Sequence, residues 1–267
     1  MLSVSQLFIY PIKSLGGVSV SSAIVTKTGF KFDRKWMIVD KNNCFLTQRE
    51  IPEMALLQVA LKEHELTIFH KPDKSNSIKI PLQPEAKEII RVKIFDDICE
   101  AFFVNKFADE WFSEMLSTNC RLVCMPDSSE RYVDKKYAIH NEITRFTDGF
   151  PYLIIGQSSL DDLNRRLENP LSINRFRPNI VFAGGRPYEE DEMKHFTING
   201  INFYGVKLCA RCVITTINQD DAQKSKEPLK TLSSYRQKNN KIYFGQNLLA
   251  DGKGILKIGD VINIIKP

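Results

Sequence analysis

The sequence lacks long hydrophobic runs and a strong charge of either sign. None of its apolar stretches reaches the roughly 20 residues of a membrane-spanning helix, and its N-terminus has neither the basic nor the apolar region of a secretory signal. The net charge is +5, with basic residues scattered among almost as many acids. We therefore expect a cytoplasmic protein with no membrane partner and no nucleic-acid partner.

Cysteine and histidine are scarce as well. The 267 residues include six cysteines and four histidines. Because a cytoplasmic protein keeps its thiols reduced, the cysteines are expected to be core residues or ligands rather than disulfides. The chain is long enough for one large domain or two modest ones, and its 43% hydrophobic and 26% charged residues are typical of globular proteins.

Short strand patterns fill the first third of the chain. β-branched and aromatic residues cluster at 18–25, 36–39, 56–61, 66–69 and 89–94, and turn residues separate these clusters. Because no helical pattern lies between them, the sequence predicts an N-terminal antiparallel domain that resembles a β-barrel.

The first helical period comes at 104–116, where apolar residues recur at i, i+3, i+4 and i+7. Such a stripe indicates core packing. The change of period predicts a domain boundary, which gives domains of residues 1–96 and 97–267.

The second half combines strands with a second helix. That helix is predicted to open at Ser158 with a capping-box pattern and to stop at Asn169-Pro170. A long polar loop at 126–149 precedes it, and loops of this length are typically functional or mobile. Strands are predicted at 121–125, 152–155, 179–182, 195–198, 201–204, 213–217, 255–258 and 261–265, with a hairpin turned on Asn199-Gly200. The fold class is therefore mainly β (α+β), with a barrel-like C-terminal domain and a few helices.

Two thiols flank an arginine in Cys209-Ala210-Arg211-Cys212, ahead of the predicted strand 213–217. Two thiols, which are soft ligands, beside a fixed positive charge make this segment a candidate reactive or metal-binding site. The spacing alone leaves four interpretations open: a zinc half-site, a redox dithiol, a single metal-ligating thiolate, and two buried cysteines.

Three other segments carry candidate polar residues. Lys13 and Ser14 follow a strand at a turn, where they would suit a phosphate. The charged cluster at 33–36 is typical of a surface ion pair. Arg175 and Arg177 enter a predicted buried strand, where each needs a partner or a bound anion.

Taken together, these segments resemble MOSC-domain proteins. Six motifs occur in that family's order, at 10–14 (Y-P-I-K-S), 33–36, 176–181, 209–216, 226–236 and 244–246. The chain is similar to the subgroup with an N-terminal MOSC β-barrel domain, which includes the mitochondrial amidoxime-reducing components and their bacterial relatives. The similarity spans nearly the whole chain.

The resemblance implies a molybdenum cofactor, Mo-molybdopterin, whose pterin carries a terminal phosphate and lies at the junction of the two domains. By position, Cys212 matches the cysteine ligand of molybdenum and the catalytic centre, whereas Cys209 is expected in the core. The residues that match cofactor contacts are Lys13, Ser14, Arg34, Gly149, Arg177, Asn179, Arg211 and Asn247. Neither pyridoxal phosphate nor an iron–sulfur cluster is expected in this chain.

The activity implied by the resemblance is that of a molybdenum-dependent oxidoreductase. It would remove oxygen from small N-hydroxylated substrates such as amidoximes, hydroxylamines and N-hydroxylated bases. Electrons would come from a separate flavin, haem or iron–sulfur protein, which is expected to dock near the loop 126–149.

Two alternatives remain at the level of sequence. The same domain name covers part of the molybdenum-cofactor sulfurases, so Cys212 could instead carry the cofactor or a persulfide sulfur. A structural zinc site could combine the thiols of Cys120 and Cys124 with those of Cys209 and Cys212. The zinc interpretation predicts that Cys120→Ser releases the metal.

Overall fold

Strands dominate the computed structural model of the chain, which describes residues 1–83 and 88–266. The strands of the first part are β1 (Leu2–Ile9), β2 (Val18–Val20), β3 (Ser22–Thr26), β4 (Gly29–Phe30), β5 (Trp36–Asp40), β6 (Leu57–Leu61), β7 (Glu65–His70), β8 (Ser77–Pro81), β9 (Ile89–Ile94), β10 (Asp97–Phe103) and β11 (Cys120–Cys124). Those of the second part are β12 (Arg131–Tyr132), β13 (Ile143–Thr144), β14 (Tyr152–Gly156), β15 (Ile180–Ala183), β16 (His195–Ile198), β17 (Ile201–Ala210), β18 (Gln237–Lys238), β19 (Lys241–Asp251), β20 (Gly254–Lys257) and β21 (Val261–Lys266).

The helices of the described residues are α1 (Lys106–Met115), α2 (Gln157–Arg165) and α3 (Leu229–Arg236). Short 3₁₀ turns cover Pro52–Leu56, Ile173–Arg175, Glu189–Asp191 and Val213–Thr216. The predicted mainly β fold with a few helices is confirmed. No helix in the described part of the chain is both long enough and apolar enough to cross a membrane.

Seven strands close into a barrel. Their order is β14-β15-β1-β21-β16-β17-β19, and β19 pairs back with β14. The β14–β15 pair is parallel, and the other six pairs are antiparallel. Alternate side chains point inward and form an apolar core, which includes Ile154, Phe182, Phe196, Phe203 and Leu248.

A second sheet, β5-β11-β10-β9, packs against α1. The helix begins after Asn105, whose side chain accepts a hydrogen bond from the backbone N–H of Ala108 at 2.8 Å. Ala108 and Phe112 of the apolar stripe are fully buried, in one cluster with Trp36. The core-packing helix predicted at 104–116 is therefore confirmed.

The predicted boundary at residues 96 and 97 falls within a hairpin. Asp97 of β10 pairs with Ile94 of β9, so one sheet continues across this position. In addition, β1 from the start of the chain forms part of the barrel. The prediction rested on the change from strand to helical period near this position, a pattern that carries no information on which strands pair.

Two local predictions are wrong, and one helix was not predicted. The β-branched run 213–217 forms the 3₁₀ turn Val213–Thr216 instead of a strand, because β17 already ends at Ala210. Helix α2 begins after Gly156 without a side-chain cap, since Ser158 donates its hydroxyl to the Gly185 carbonyl at 2.6 Å. The barrel half also contains α3, which follows Pro228 and was not predicted.

Candidate functional site

A cavity at one end of the barrel brings together residues from distant parts of the chain. Every cofactor-contacting residue predicted from the sequence lines it: Lys13, Ser14, Arg34, Gly149, Arg177, Asn179, Arg211, Cys212 and Asn247. Lys13, Ser14 and Arg34 precede β5, whereas the other six residues follow β13. The cavity therefore exists only in the folded chain.

The cavity wall is strongly cationic. Seven of its residues are basic, namely Lys13, Arg34, Arg49, Arg175, Arg177, Lys207 and Arg211, and one, Asp148, is acidic. Sequence reasoning assigned neither Arg49 nor Lys207 to the site. Lys207 lies at an irregularity in the β17–β19 pairing, where strand alternation does not predict the side chain's direction.

The turn at Lys13 and Ser14 presents a buried ammonium group to the cavity. Lys13 donates from Nζ to the Phe146 carbonyl at 3.0 Å and forms an ion pair with Asp148. Burial lowers the pKa of Lys13, and the Asp148 carboxylate partly offsets this effect. The positive charge of Lys13 holds the pKa of the Asp148 carboxyl below its usual range.

Arg34 lies at the centre of a buried network. It donates from Nη1 to Asp33 Oδ2 at 2.5 Å and to Asn179 Oδ1 at 3.1 Å, and from Nη2 to the Arg177 carbonyl at 3.3 Å. The prediction of a surface ion pair at 33–36 is wrong, because the Asp33 side chain is only 1% exposed. The Asp33 carboxylate instead orients Arg34 at the cavity wall.

Tyr10 lies against both Arg34 and Arg177. Each guanidinium carbon is 4.4 Å from the centre of the Tyr10 ring. Such contacts are favourable for arginine and hold the two planar groups in place. Burial raises the pKa of Tyr10 to about 12 and lowers that of Arg177 to about 10, so the phenol is neutral and the guanidinium charged at neutral pH.

Three of the predicted site residues have left-handed backbone angles. The φ angles are +67° at Ser14, +46° at Arg34 and +55° at Arg177. Residues with a Cβ atom rarely adopt this region, and such strain concentrates at binding sites. At Arg177 the cost is offset in part by a 2.8 Å hydrogen bond from Nη1 to the Leu15 carbonyl.

Cys212 is the exposed thiol of this cavity. It precedes the 3₁₀ turn Val213–Thr216, and its carbonyl accepts hydrogen bonds from the backbone N–H of Thr215 at 3.2 Å and from the Thr215 hydroxyl at 3.0 Å. These bonds fix the backbone conformation of Cys212. The other five cysteines, all within the described residues, are buried or half-buried.

Arg211 bonds to the first thiol of the motif. It donates from Nη1 to Cys209 Sγ at 2.9 Å and from Nη2 to the Phe176 carbonyl. Cys209 packs against the core, as predicted, but it also lines the cavity. Arg211 Nε is buried and has no hydrogen-bond partner in residues 1–83 and 88–266, so the guanidinium retains a donor for a ligand.

Gly149 and Asn247 complete the predicted set. Gly149 has a φ of +141°, and no atom lies within 4 Å of the position that a Cβ would occupy there, so it leaves this part of the cavity open. Asn247 donates from Nδ2 to the Lys207 carbonyl at 3.1 Å. Lys207 in turn places its ammonium 4.4 Å from the centre of the Tyr137 ring.

The structural zinc interpretation is wrong. Cys120 and Cys124 lie in a different apolar cluster with Trp36, away from the cavity wall. Burial raises the pKa of these thiols to about 11 and about 12, so both are protonated at neutral pH. In residues 1–83 and 88–266, no group of three or more histidine, cysteine or acidic side chains could hold a metal ion.

The cavity fits the cofactor that the sequence resemblance implies. An exposed thiol is a suitable soft ligand for molybdenum, and the cationic wall with its unpartnered Arg211 donor matches a phosphate and a polar pterin. The cavity thus combines an exposed thiol with an excess of positive charge, the two features that such a group would need.

Comparisons with known proteins identify the family of the chain. The MOSC N-terminal beta barrel domain matches residues 1–119, and the MOSC domain matches residues 141–263. Mitochondrial amidoxime-reducing component 1 of Mus musculus is 30% identical over 282 residues, covering 98% of this chain and 82% of that protein. Mitochondrial amidoxime reducing component 2 of Homo sapiens is 30% identical, covering 97% and 82%.

Two further matches differ more in extent or sequence. The molybdenum cofactor sulfurase of Oryza sativa subsp. japonica is 31% identical over 91% of this chain, which spans only 32% of that protein. The solved structure of the YUAD protein from Bacillus subtilis has 10% identity and a TM-score of 0.44, covering 98% of this chain and 94% of that one. The chain belongs to the MOSC-domain proteins with an N-terminal MOSC β-barrel domain, the family of the mitochondrial amidoxime-reducing components.

Proposed function

We propose that this protein is a molybdenum-cofactor-dependent reductase of N-hydroxylated compounds. Its substrates would be amidoximes, hydroxylamines and N-hydroxylated bases such as hydroxylaminopurines, and its electrons would come from a separate redox protein. The observation that carries the proposal is the exposed Cys212 thiol in a cavity with seven basic residues. The amidoxime-reducing relatives support the choice of substrate class.

The basic residues would bind the anionic part of the cofactor. Lys13, Arg34 and Arg177 offer buried positive charge, and charge-assisted hydrogen bonds to phosphate are stronger than neutral ones. Asp33 and Tyr10 hold the guanidinium of Arg34 in place before the ligand arrives. This preorganisation reduces the entropy lost on binding.

Cys212 would be the protein ligand of molybdenum. A thiolate is a suitable soft ligand for molybdenum, and Cys212 is the exposed cysteine of the cavity. When bound, the cofactor would supply the two-electron redox chemistry that the reduction requires. The chain's own contribution is to hold the metal beside an open cavity, where solvent can provide the protons that the reduced nitrogen requires.

The proposal is tested by turnover with an artificial electron donor. Protein from a host that makes the cofactor is mixed with reduced methyl viologen and benzamidoxime, and the benzamidine formed is measured. We expect turnover in the native protein and its loss in Cys212→Ser. Stoichiometric molybdenum without turnover of any amidoxime, hydroxylamine or N-hydroxylated base would refute the reductase activity.

A second candidate function is transport of the cofactor or transfer of sulfur through Cys212. The similarity to a molybdenum cofactor sulfurase over 91% of this chain favours it. A carrier would release the cofactor to an apo-molybdoenzyme, and a sulfur-transfer protein would accumulate a Cys212 persulfide. Mass spectrometry of the protein and reconstitution of an apo-enzyme distinguish both from a reductase, which retains its cofactor through many turnovers.

The partner and the location complete the proposal. The redox protein would dock near the segment 126–149, which borders the cavity through Asp148 and Gly149. Within that segment, β12 pairs with β13, and Arg131 donates from Nη1 to the carbonyls of Arg145 at 2.9 Å and Thr147 at 2.8 Å. Because these bonds fix the conformation of the segment, it is suited to be a docking surface. The cytoplasmic location stays a prediction from the sequence.

A further inference from the structure

We propose that Gln48 and Gln219 form a positioning pair that sets the Lys13–Ser14 turn relative to Cys212. The inference rests on the proposed function, in which the turn and the thiol bind the same cofactor. Neither glutamine lines the cavity, so the pair would act through the residues that it holds.

The two amides are joined by reciprocal hydrogen bonds. Gln48 Nε2 donates to Gln219 Oε1 at 3.2 Å, and Gln219 Nε2 donates to Gln48 Oε1 at 2.9 Å. The side chains lie 171 positions apart in sequence, and the residues are 0% and 4% exposed. A hydrogen-bonded amide pair in such a buried place favours one relative arrangement, because each alternative leaves polar atoms unpaired.

Gln48 also forms a hydrogen bond to the Lys13–Ser14 turn, whose two residues line the cavity. Its Nε2 donates to the Ser14 carbonyl at 2.6 Å. Ser14 has a φ of +67°, an angle that costs energy in a residue other than glycine, so this turn needs support from its surroundings. The residues on both sides of Gln48, Thr47 and Arg49, line the cavity themselves.

Gln219 holds the segment that follows Cys212. Its Nε2 donates to the Ile217 carbonyl at 3.1 Å, and the N–H of Ile217 bonds to the Ile214 carbonyl at 3.2 Å. Because Ile214 belongs to the 3₁₀ turn that begins directly after Cys212, few free torsions separate Gln219 from the thiol. A displacement of Gln219 would therefore move Cys212.

Lys71 also bonds to the segment that follows Cys212. It donates from Nζ to the carbonyl of Gln219 and to that of Ala55 at 2.9 Å. The Gln219 side chain and backbone are thus both tied to residues of the first 71 positions. These bonds therefore connect the segment after Cys212 to the part of the chain that contains the Lys13–Ser14 turn.

The test compares Gln48→Met and Gln219→Met with Gln58→Met. Methionine keeps the approximate size of glutamine but removes its hydrogen bonds. Gln58 is a matched control, since its Nε2 donates to the Gly17 carbonyl at the same 2.6 Å, yet its other bond is to Val59 beside it and not to the segment after Cys212. Each variant and the double variant is measured for thermal midpoint, for affinity to inorganic pyrophosphate by calorimetry, and for molybdenum per folded chain.

We expect Gln48→Met and Gln219→Met each to weaken pyrophosphate binding and molybdenum occupancy about fivefold to tenfold, with a double variant no worse than either single one. Gln58→Met should lower the thermal midpoint by a similar amount and leave both binding measurements unchanged. Equal losses in Gln58→Met, or full binding in Gln48→Met and Gln219→Met, would overturn the positioning role. A native protein that does not bind pyrophosphate would also overturn the positioning role.

The two proposals fail in distinguishable ways. Native protein that binds pyrophosphate but no molybdenum refutes the proposed function, while the pyrophosphate affinities of the variants still support or overturn the positioning role. Native protein that binds both, with unaffected glutamine variants, overturns the positioning role alone.

Discussion

Lys13 and Asp148 form an ion pair whose two members differ sharply in exposure. The lysine side chain is 6% exposed, and the aspartate side chain is 67% exposed. Asp148 is also the one acid among the residues that line the cavity. The Asp148 carboxylate is therefore paired with the cation that an incoming phosphate would need. Gly149, the next residue, gives the backbone the freedom that Asp148 needs in order to move.

The first prediction concerns this carboxylate. Asp148→Asn should tighten the binding of inorganic pyrophosphate by on the order of tenfold, about 1.4 kcal/mol, because Lys13 no longer has a competing anion. Isothermal titration calorimetry at pH 7 measures the change. Asp127→Asn is the control, since Asp127 is a 74% exposed carboxylate paired with Lys35 and lies outside the cavity wall. Weaker binding in Asp148→Asn would mean that Asp148 maintains the site rather than competes for it.

The second prediction concerns Tyr10. Its hydroxyl is buried without a hydrogen-bond partner among the described residues, while its ring contacts Arg34 and Arg177. Tyr10→Phe should raise the free energy of unfolding by about 1 kcal/mol, because an unpaired buried hydroxyl is removed and the ring stays. Urea unfolding followed by fluorescence measures it.

Tyr10→Leu is the matched variant, because it removes the ring as well. We expect it to lower stability and to weaken pyrophosphate binding, since the two guanidinium groups lose the surface on which they rest. If Tyr10→Phe weakens binding as much as Tyr10→Leu does, the hydroxyl and not the ring supports the site.

The third prediction is a pH dependence at Asp109. Burial raises the pKa of this carboxyl from 3.8 to about 6, although its hydrogen bond from the Leu122 N–H at 2.8 Å opposes the change. Between these two values the folded state binds more protons than the unfolded state, so Asp109 makes stability fall as the pH rises through this window. The amide introduced by Asp109→Asn does not titrate, so that variant lacks this contribution.

The stability of Asp109→Asn relative to the native protein should thus increase from pH 4 to pH 7. Urea unfolding at several pH values gives this difference, with Asp161→Asn as a control in an exposed helix position. A difference that stays constant with pH would contradict the raised pKa of Asp109.

Local patterns in the sequence predicted much of the fold. The Asn199-Gly200 hairpin is present, with φ angles of +48° and +75° that suit these two residues, and α1 lies within the predicted range. The partners of β1 were not predictable, because β15 and β21 are more than 170 residues away and alternation does not identify a pairing strand. Helix α3 was missed because only Leu232 of its eight residues is buried, which leaves no apolar period to detect.

The site was predicted from the order of its motifs rather than from any one motif. Cys212, Arg177 and Lys13 are separately ordinary in sequence, and the fold places them around one cavity. What the sequence could not reveal are the contacts that hold them: the burial of Asp33, the pairing of Lys13 with Asp148, and the contact of two arginines with Tyr10. Each depends on segments brought together by the closed barrel.

The most direct test of the account is the metal content of three proteins from a host that makes the molybdenum cofactor: the native chain, Cys212→Ser and Cys209→Ser. Cys209 is the control, because it is the second thiol of the same motif and is half-buried against the core. We predict close to one molybdenum and one pterin per native chain, retention of both in Cys209→Ser, and loss of the metal or a changed absorption spectrum in Cys212→Ser. Native protein without molybdenum, or Cys212→Ser with unchanged metal content and spectrum, would contradict the assignment of Cys212 as the molybdenum ligand.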